Sequence, residues 1–226
     1  MSTELGLRER KKQQTRQLIA ETASRLFAER GFEGVPVAEV ARAANVSAGT
    51  VFNYFPTKED LVFDRMESYE AALLEAIRRR QPGESVLTAF GRFVVERSVR
   101  LTADNVGEII ATAARMITAS PALQTREREI IARYTQSLAT LIAQETAAEP
   151  DDVEPWVAAN ALMGVHRALL DDARRRVLAG RRSPSLAAEV RSQAERALAR
   201  LARGLGDYAI KPKPGSTRAT AGRAQP

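Results

Sequence analysis

The chain contains no cysteine. That absence excludes disulfides, thiolate nucleophiles and Cys-based zinc sites. A single histidine, His166, rules out a multi-histidine metal site and leaves one imidazole for general-base chemistry. It lies in the second half of a long apolar segment, where a packed or surface role suits it better than catalysis. No Walker-type or Gly-rich phosphate loop is present. The acidic pair Asp171-Asp172 stands beside Arg174-Arg175-Arg176 and reads as a salt-bridged helix end. Nor does any uninterrupted apolar run approach the roughly 20 residues that span a bilayer, and the charged N-terminus has no signal-peptide core. The expectation is a cytoplasmic protein that is not an enzyme, has no cofactor and does not engage a membrane. Strand-like alternation is missing as well, so the predicted fold class is all-α.

What is present is an ordinary globular composition, 44% hydrophobic and 27% charged, in 226 residues, enough for a sizeable core in one or two domains. Net charge +6 and a sequence pI of about 10.0 permit a polyanionic partner. The charge is unevenly placed. Residues 1–60 hold nine Lys/Arg against eight Asp/Glu, and the excess sits at Arg8, Arg10, Lys11, Lys12 and Arg16 and at Lys211, Lys213, Arg218 and Arg223.

The most informative stretch is Ser47 to Lys58 with the short run upstream of it. Val37, Val40, Ala41 and Ala44 share one face at helical spacing, and Asn45 suits a left-handed turn. Ser47 can cap a second helix, from which Val51, Phe52 and Phe55 are expected to turn into the core. Ala48, Gly49, Thr50, Asn53 and Tyr54 remain outside. Small groups let the backbone approach a groove, and Thr, Asn and Tyr supply hydrogen bonds to bases or phosphates. Two short helices in this arrangement make a helix-turn-helix.

The run Val46-Ser47-Ala48-Gly49-Thr50-Val51-Phe52-Asn53-Tyr54-Phe55-Pro56-Thr57-Lys58-Glu59-Asp60-Leu61 resembles the DNA-reading segment of TetR-family repressors and covers that segment from end to end. There are two departures. Asn53 stands where an aromatic or other residue is often found, and Pro36 stands where a Thr commonly opens the preceding helix; proline offers no hydroxyl to a phosphate. The resemblance implies double-stranded operator DNA as a partner, met by Ser47, Ala48, Gly49, Thr50, Asn53, Tyr54 and Lys58, with Thr50 and Asn53 on bases and Tyr54 and Lys58 on phosphates.

In front of this segment, Thr15, Leu18, Ile19, Thr22, Ala23, Leu26 and Phe27 predict an amphipathic helix ended by Gly31. Its basic start, Arg8 to Lys12, reads as a flexible arm on the DNA backbone or as a solvated helix end. Behind it, Pro56 breaks the recognition helix and Thr57 can cap a helix running from Lys58 to about Arg80. Five further helical segments follow: Ser85 to about Leu101, Val106 to about Ala119, Pro121 to about Glu145, Val153 to Ala179, and Leu186 to about Leu205. The Val153 segment is apolar nearly all round, with Val157, Ala161, Gly164 and Ala168 as a small-residue line. With Leu186, Val190, Ala194, Ala197, Leu201 and Leu205 of the last helix it predicts a homodimer interface. The chain thus divides into a helix-turn-helix domain with basic arm over 1–57, a helical ligand-binding and dimerisation domain over 58–210, and a disordered basic tail over 211–226.

The resemblance also implies a pocket for a small-molecule effector in the body. Its candidate lining is Phe90, Phe93, Arg97, Ile109, Met116, Tyr134, Trp156, Asn160 and Met163, although plain core packing explains each as well. With only Arg97 and Asn160 for polarity, such a lining suits a largely apolar molecule carrying one anionic or hydrogen-bonding group. The function implied is a ligand-responsive homodimeric transcriptional repressor, released from a pseudo-palindromic operator by its effector. An activator or pleiotropic regulator with the same fold, or an effector-independent architectural DNA-binding protein, are the alternatives.

Overall fold

The computed structural model describes residues 6–99, 106–181, 185–205 and 208–211. Among these, the chain order is α1 (Leu7–Arg30), α2 (Val37–Ala43), α3 (Ala48–Tyr54), a 3-10 turn (Glu59–Leu61), α4 (Met66–Arg78), α5 (Val86–Val99), α6 (Val106–Ala119), α7 (Pro121–Thr146), α8 (Glu154–Leu178) and α9 (Ser185–Leu205). The all-α class follows. No described helix is long and apolar enough to cross a membrane. The chain forms two compact units, Met1–Ser68 with Glu108–Ile130, and Tyr69–Gly107 with Ile131–Pro226.

In the first unit, Ile19, Ala23, Leu26 and Phe27 form the buried stripe of α1, and α1 packs against α2 and the 3-10 turn. Gly31 ends α1 at φ 76, and its N–H returns to the Phe27 carbonyl at 2.9 Å. Phe32 then doubles back edge-on to Phe27, ring centroids 5.3 Å apart. Gly34 is required by close approach, since a Cβ there would lie 2.8 Å from the Arg30 carbonyl oxygen. Asn45, at φ 54, makes the left-handed turn between α2 and α3.

Two expectations about this unit are corrected. Residues 8–12 are not a flexible arm but exposed positions in the first two turns of α1. Arg16, counted with the basic excess, is an internal tie: its guanidinium donates to the Tyr54 carbonyl at 2.8 Å, pairs with Asp64 at 2.9 Å and lies 4.5 Å above the Phe55 ring. The second correction is that no continuous helix runs from Lys58. Thr57 donates from both N and Oγ1 to Asp60 Oδ2, at 3.0 and 2.9 Å. Leu61 and Phe63 turn inward and are buried. With Asp64 held by Arg16, the segment folds onto its own unit and α4 starts only at Met66. The corner between α6 and α7 belongs to the same unit. There Ser120 donates to Glu33 at 2.6 Å, and Arg126 reaches Asp60 Oδ1 through Nε at 2.9 Å and Nη2 at 2.8 Å.

In the second unit, α9 packs on α5 and α8. Gly91 permits the approach, because a Cβ there would meet Leu198 Cδ1 at 3.1 Å. Leu186, Val190 and Ala194 are therefore buried inside the chain, which corrects their assignment to a subunit interface. Nor is α8 buried on every side within its own chain. Pro155, Ala158, Ala159, Leu162 and Met163 face inward, while the opposite face exposes the apolar Trp156 and Val157, with Val153 just before the helix, beside Asn160 and Gly164.

Arg80 is the largest fully buried side chain of the described residues, 2% exposed. It pairs with Glu145 and donates to the carbonyls of Ile77, Glu84 and Ala209. The segment that supplies Ala209 continues to Lys211, whose Nζ donates to the carbonyls of Arg78 and Arg80 at 2.9 and 3.1 Å. Lys211 thus belongs to the folded body rather than to the tail. Lys213, Arg218 and Arg223 lie outside the described residues. Truncation after Lys211 should leave stability unchanged, whereas truncation after Leu205 removes the Ala209 and Lys211 contacts and should lower the melting temperature measured by circular dichroism.

Candidate nucleic-acid interface and ligand site

The recognition helix is built by local rules. Ser47 sits at the extended N-cap position, and its Oγ accepts from the Thr50 N–H at 3.0 Å. The Ser47 and Thr50 hydroxyls also share a hydrogen bond of 2.8 Å. Thr50 therefore supports the helix start as well as its outer face. Ser47→Ala should cost about 1 kcal/mol of stability, the usual value of such a cap, and be readable by urea unfolding.

Val51 and Phe55, one turn apart, hold the helix to the core with about 1% exposure each. Ala48, Gly49 and Asn53 are exposed. Phe52 departs from expectation: it is 48% exposed and stands on the outward face with Ala48. Its neighbour Val51 already occupies the inward line with Phe55, and one residue farther along a helix is turned by about 100°. The i, i+4 relation of Ala48 to Phe52 was the signal in the sequence. An exposed ring beside Asn53 can meet a thymine methyl in a major groove. Gly49 is not demanded by packing, because a Cβ there would find only Ser47 Oγ at 3.7 Å. Its small size serves the outer surface.

Tyr54 is half-buried and its carbonyl is taken by Arg16. Lys58 is half-buried too, with Nζ 4.3 Å from the centroid of Phe32 and 5.9 Å from that of Phe27. The ammonium therefore rests over an aromatic face in this conformation.

Of the expected effector residues, Phe90, Phe93, Tyr134 and Met163 are buried in the second unit. Arg97 is half-buried, its guanidinium 4.8 Å above Tyr69 and 5.1 Å from the Phe93 ring. Tyr69 is the centre that sequence reasoning missed. Its hydroxyl lies 2.9 Å from His166 Nδ1, its ring stacks on Tyr134 with centroids 6.1 Å apart, and it meets Phe93 edge-on at 5.3 Å. Burial raises the Tyr69 pKa above the ordinary phenol value, against a smaller lowering by the Arg97 charge. The phenol is therefore neutral at pH 7. Tyr69 lies on α4 and His166 on α8, 97 residues away, so no local pattern links them.

Four expected lining residues fall elsewhere. Trp156 is 48% exposed, and Asn160, also exposed, turns its amide back to the Trp156 carbonyl at 2.8 Å. Both lie on the face of α8 opposite its packed residues. Ile109 is exposed on α6, and Met116 lines a cleft of the first unit with Phe27 and Phe32. Among the described residues, no group of three or more His, Asp or Glu is placed to hold a metal ion.

Residues 19–64, which contain this helix-turn-helix, match the family model described as bacterial regulatory proteins, tetR family. That segment is a TetR-family helix-turn-helix. The relatives that share this segment are transcriptional regulators. The chain is 34% identical over 84 residues to the HTH-type transcriptional regulator TcmR of Streptomyces glaucescens, a match covering 37% of either chain. The match thus spans little more than a third of TcmR. Two solved structures show the same fold over most of the length. One is native NalD, the secondary repressor of the MexAB-OprM multidrug efflux pump in Pseudomonas aeruginosa, with TM-score 0.55 and 23% identity over 85% of this chain and 98% of that one. The other is the transcriptional regulator FadR of Bacillus subtilis in complex with stearoyl-CoA, with TM-score 0.50 and 18% identity over 80% and 97%.

Proposed function

We propose that this protein is a cytoplasmic homodimeric repressor of the TetR type, released from a pseudo-palindromic operator by a small, largely apolar effector. The observation that carries the reading is the recognition helix. Val51 and Phe55 anchor it while Ala48, Gly49, Phe52 and Asn53 stand outside. Residues 1–57 form the reading head, with Ser47, Ala48, Gly49, Thr50, Asn53, Tyr54 and Lys58 as its DNA contacts, joined by Phe52. Residues 58–210 serve effector binding and dimerisation. The exposed residues Val153, Trp156, Val157 and Gly164 of α8 supply the self-complementary patch, with roughly 800 Å² per subunit needed for a stable pair. Two heads held about one DNA turn apart then enter successive major grooves. Repression needs no more than occupancy of the operator.

The effector meets the second unit through Phe90, Phe93, Tyr134 and Met163, with polarity supplied by Arg97 and by the Tyr69–His166 pair. That chemistry suits an apolar body with one anionic or hydrogen-bonding group, as in fatty acids, acyl thioesters and planar aromatic compounds. Its influence on DNA binding is bounded by its difference in affinity between the two states of the dimer.

The reading head is tested by comparing substitutions on selected and random DNA across salt concentrations. Tyr54→Ala and Lys58→Ala should weaken binding to both, Lys58→Ala lowering the salt slope by about one. Thr50→Ala and Asn53→Ala should change sequence preference, by about 1–3 kcal/mol each where a base contact is lost. Equal losses on the two DNAs for Asn53→Ala would reduce it to a phosphate contact. In the body, Arg97→Leu should retain DNA binding and lose the response to an anionic inducer.

A further inference from the structure

The first unit contains a cleft of about 360 Å³ between the α1–α2 turn and α6, a size within the range of small-molecule sites. Phe27, Phe32 and Met116 give it an apolar wall. Gly31 and Gly34 bring bare backbone to its edge, and neither freely accepts a side chain, Gly31 for its φ of 76 and Gly34 for its contact with the Arg30 carbonyl. Two of the charged groups lining it are engaged. Arg30 pairs with Glu39, and Glu33 accepts from the Ser120 hydroxyl at 2.6 Å. Arg115 is different. It is exposed, donates to the Thr112 hydroxyl one turn back at 3.2 Å, and meets no carboxylate among the described residues. Lys58 adds a second cation near the same aromatic pair, 4.3 Å from the Phe32 centroid.

An apolar wall with an uncommitted guanidinium at its edge recognises an amphipathic anion, because the fork of N–H groups matches a carboxylate while the rings take the hydrocarbon. We propose that the reading head carries its own small-molecule site in this cleft, taking a compact aromatic carboxylate. The ring lies against Phe27, Phe32 and Met116, and the carboxylate is held by Arg115. Glu33, on the α1–α2 turn, repels a carboxylate and so directs it towards α6. The occupant sits against the Glu33–Ser120 hydrogen bond, which joins that turn to the α6–α7 corner. Such a ligand acts on the reading head directly, and the proposal does not rest on the Arg97 cluster of the second unit.

The test uses the full-length protein, 2-naphthoate as probe and 2-naphthamide as its uncharged counterpart, followed by amide chemical shifts. Binding of 2-naphthoate should move the signals of Gly31, Gly34 and residues 112–119. Arg115→Gln should weaken it roughly tenfold or more, the usual worth of a charged hydrogen bond. The amide should bind the parent protein about as weakly as naphthoate binds that variant. Ala119→Phe, which fills the edge of the cleft, should abolish binding. Arg115 is exposed, so Arg115→Gln keeps the fold and decides the matter even where Ala119→Phe does not. Arg97→Leu should leave the Gly31 and Gly34 shifts in place. Shifts confined to the surroundings of Tyr69 and His166, an unchanged affinity in Arg115→Gln, or no binding at millimolar naphthoate would each overturn the proposal.

Discussion

Arg80→Ala is expected to be the most destabilising single substitution outside the apolar core, costing about 3 kcal/mol. Removing one member of a buried ion pair typically costs roughly 3–5 kcal/mol, because the remaining charge stays desolvated. The lower end applies here, since the Glu145 side chain is 25% exposed and water reaches it. The carbonyls of Ile77, Glu84 and Ala209 lose the guanidinium in the same step, although those of Ile77 and Glu84 keep the backbone N–H groups of residue 80 and Lys211. Urea unfolding should show a lower midpoint at an unchanged slope. The double substitution Arg80→Met with Glu145→Leu should recover much of the loss, because it removes the orphaned charge as well. A loss below about 1 kcal/mol for Arg80→Ala would show that the Arg80–Glu145 pair adds little to the body.

The other large effect is on assembly. Val157→Glu and Gly164→Arg place a charge on the exposed face of α8, where Val153, Trp156 and Val157 stand outside their own chain's core. Each should yield monomers by light scattering. Operator affinity should then fall about 10²–10⁴-fold, because the second head no longer binds as an intramolecular event. Leu201→Glu should do less, since α9 spends its apolar face on α5 and α8. Variants that remain dimeric would move the interface away from α8.

What could be read from the sequence was whatever rests on local rules. Ser47 as a cap, Asn45 in a left-handed turn and Gly31 at the end of α1 each follow from the chemistry of one residue, and each stands where the pattern put it. Helical periodicity found the elements because burial along a helix repeats every three or four residues. It did not say which neighbour covers a stripe. Leu186, Val190 and Ala194 carry the pattern of an interface, and the chain uses them on its own α5 and α8. Contacts distant in sequence were equally hidden. Tyr69 and His166 are 97 residues apart, and Arg80 and Ala209 are 129 apart. Phe52 was misread for another reason: it followed an inward Val51, and hydrophobicity outweighed the 100° step that turns it outward.

Sequence-specific recognition of DNA by a two-headed regulator can be read from footprinting on a fragment enriched from random DNA by the purified protein. Protection should cover a pseudo-palindrome whose half-sites lie about one helical turn apart, or a little more, and should be lost in Val157→Glu. Uniform protection along the fragment, without a preferred sequence and unchanged in that variant, would contradict it and favour an architectural DNA-binding protein.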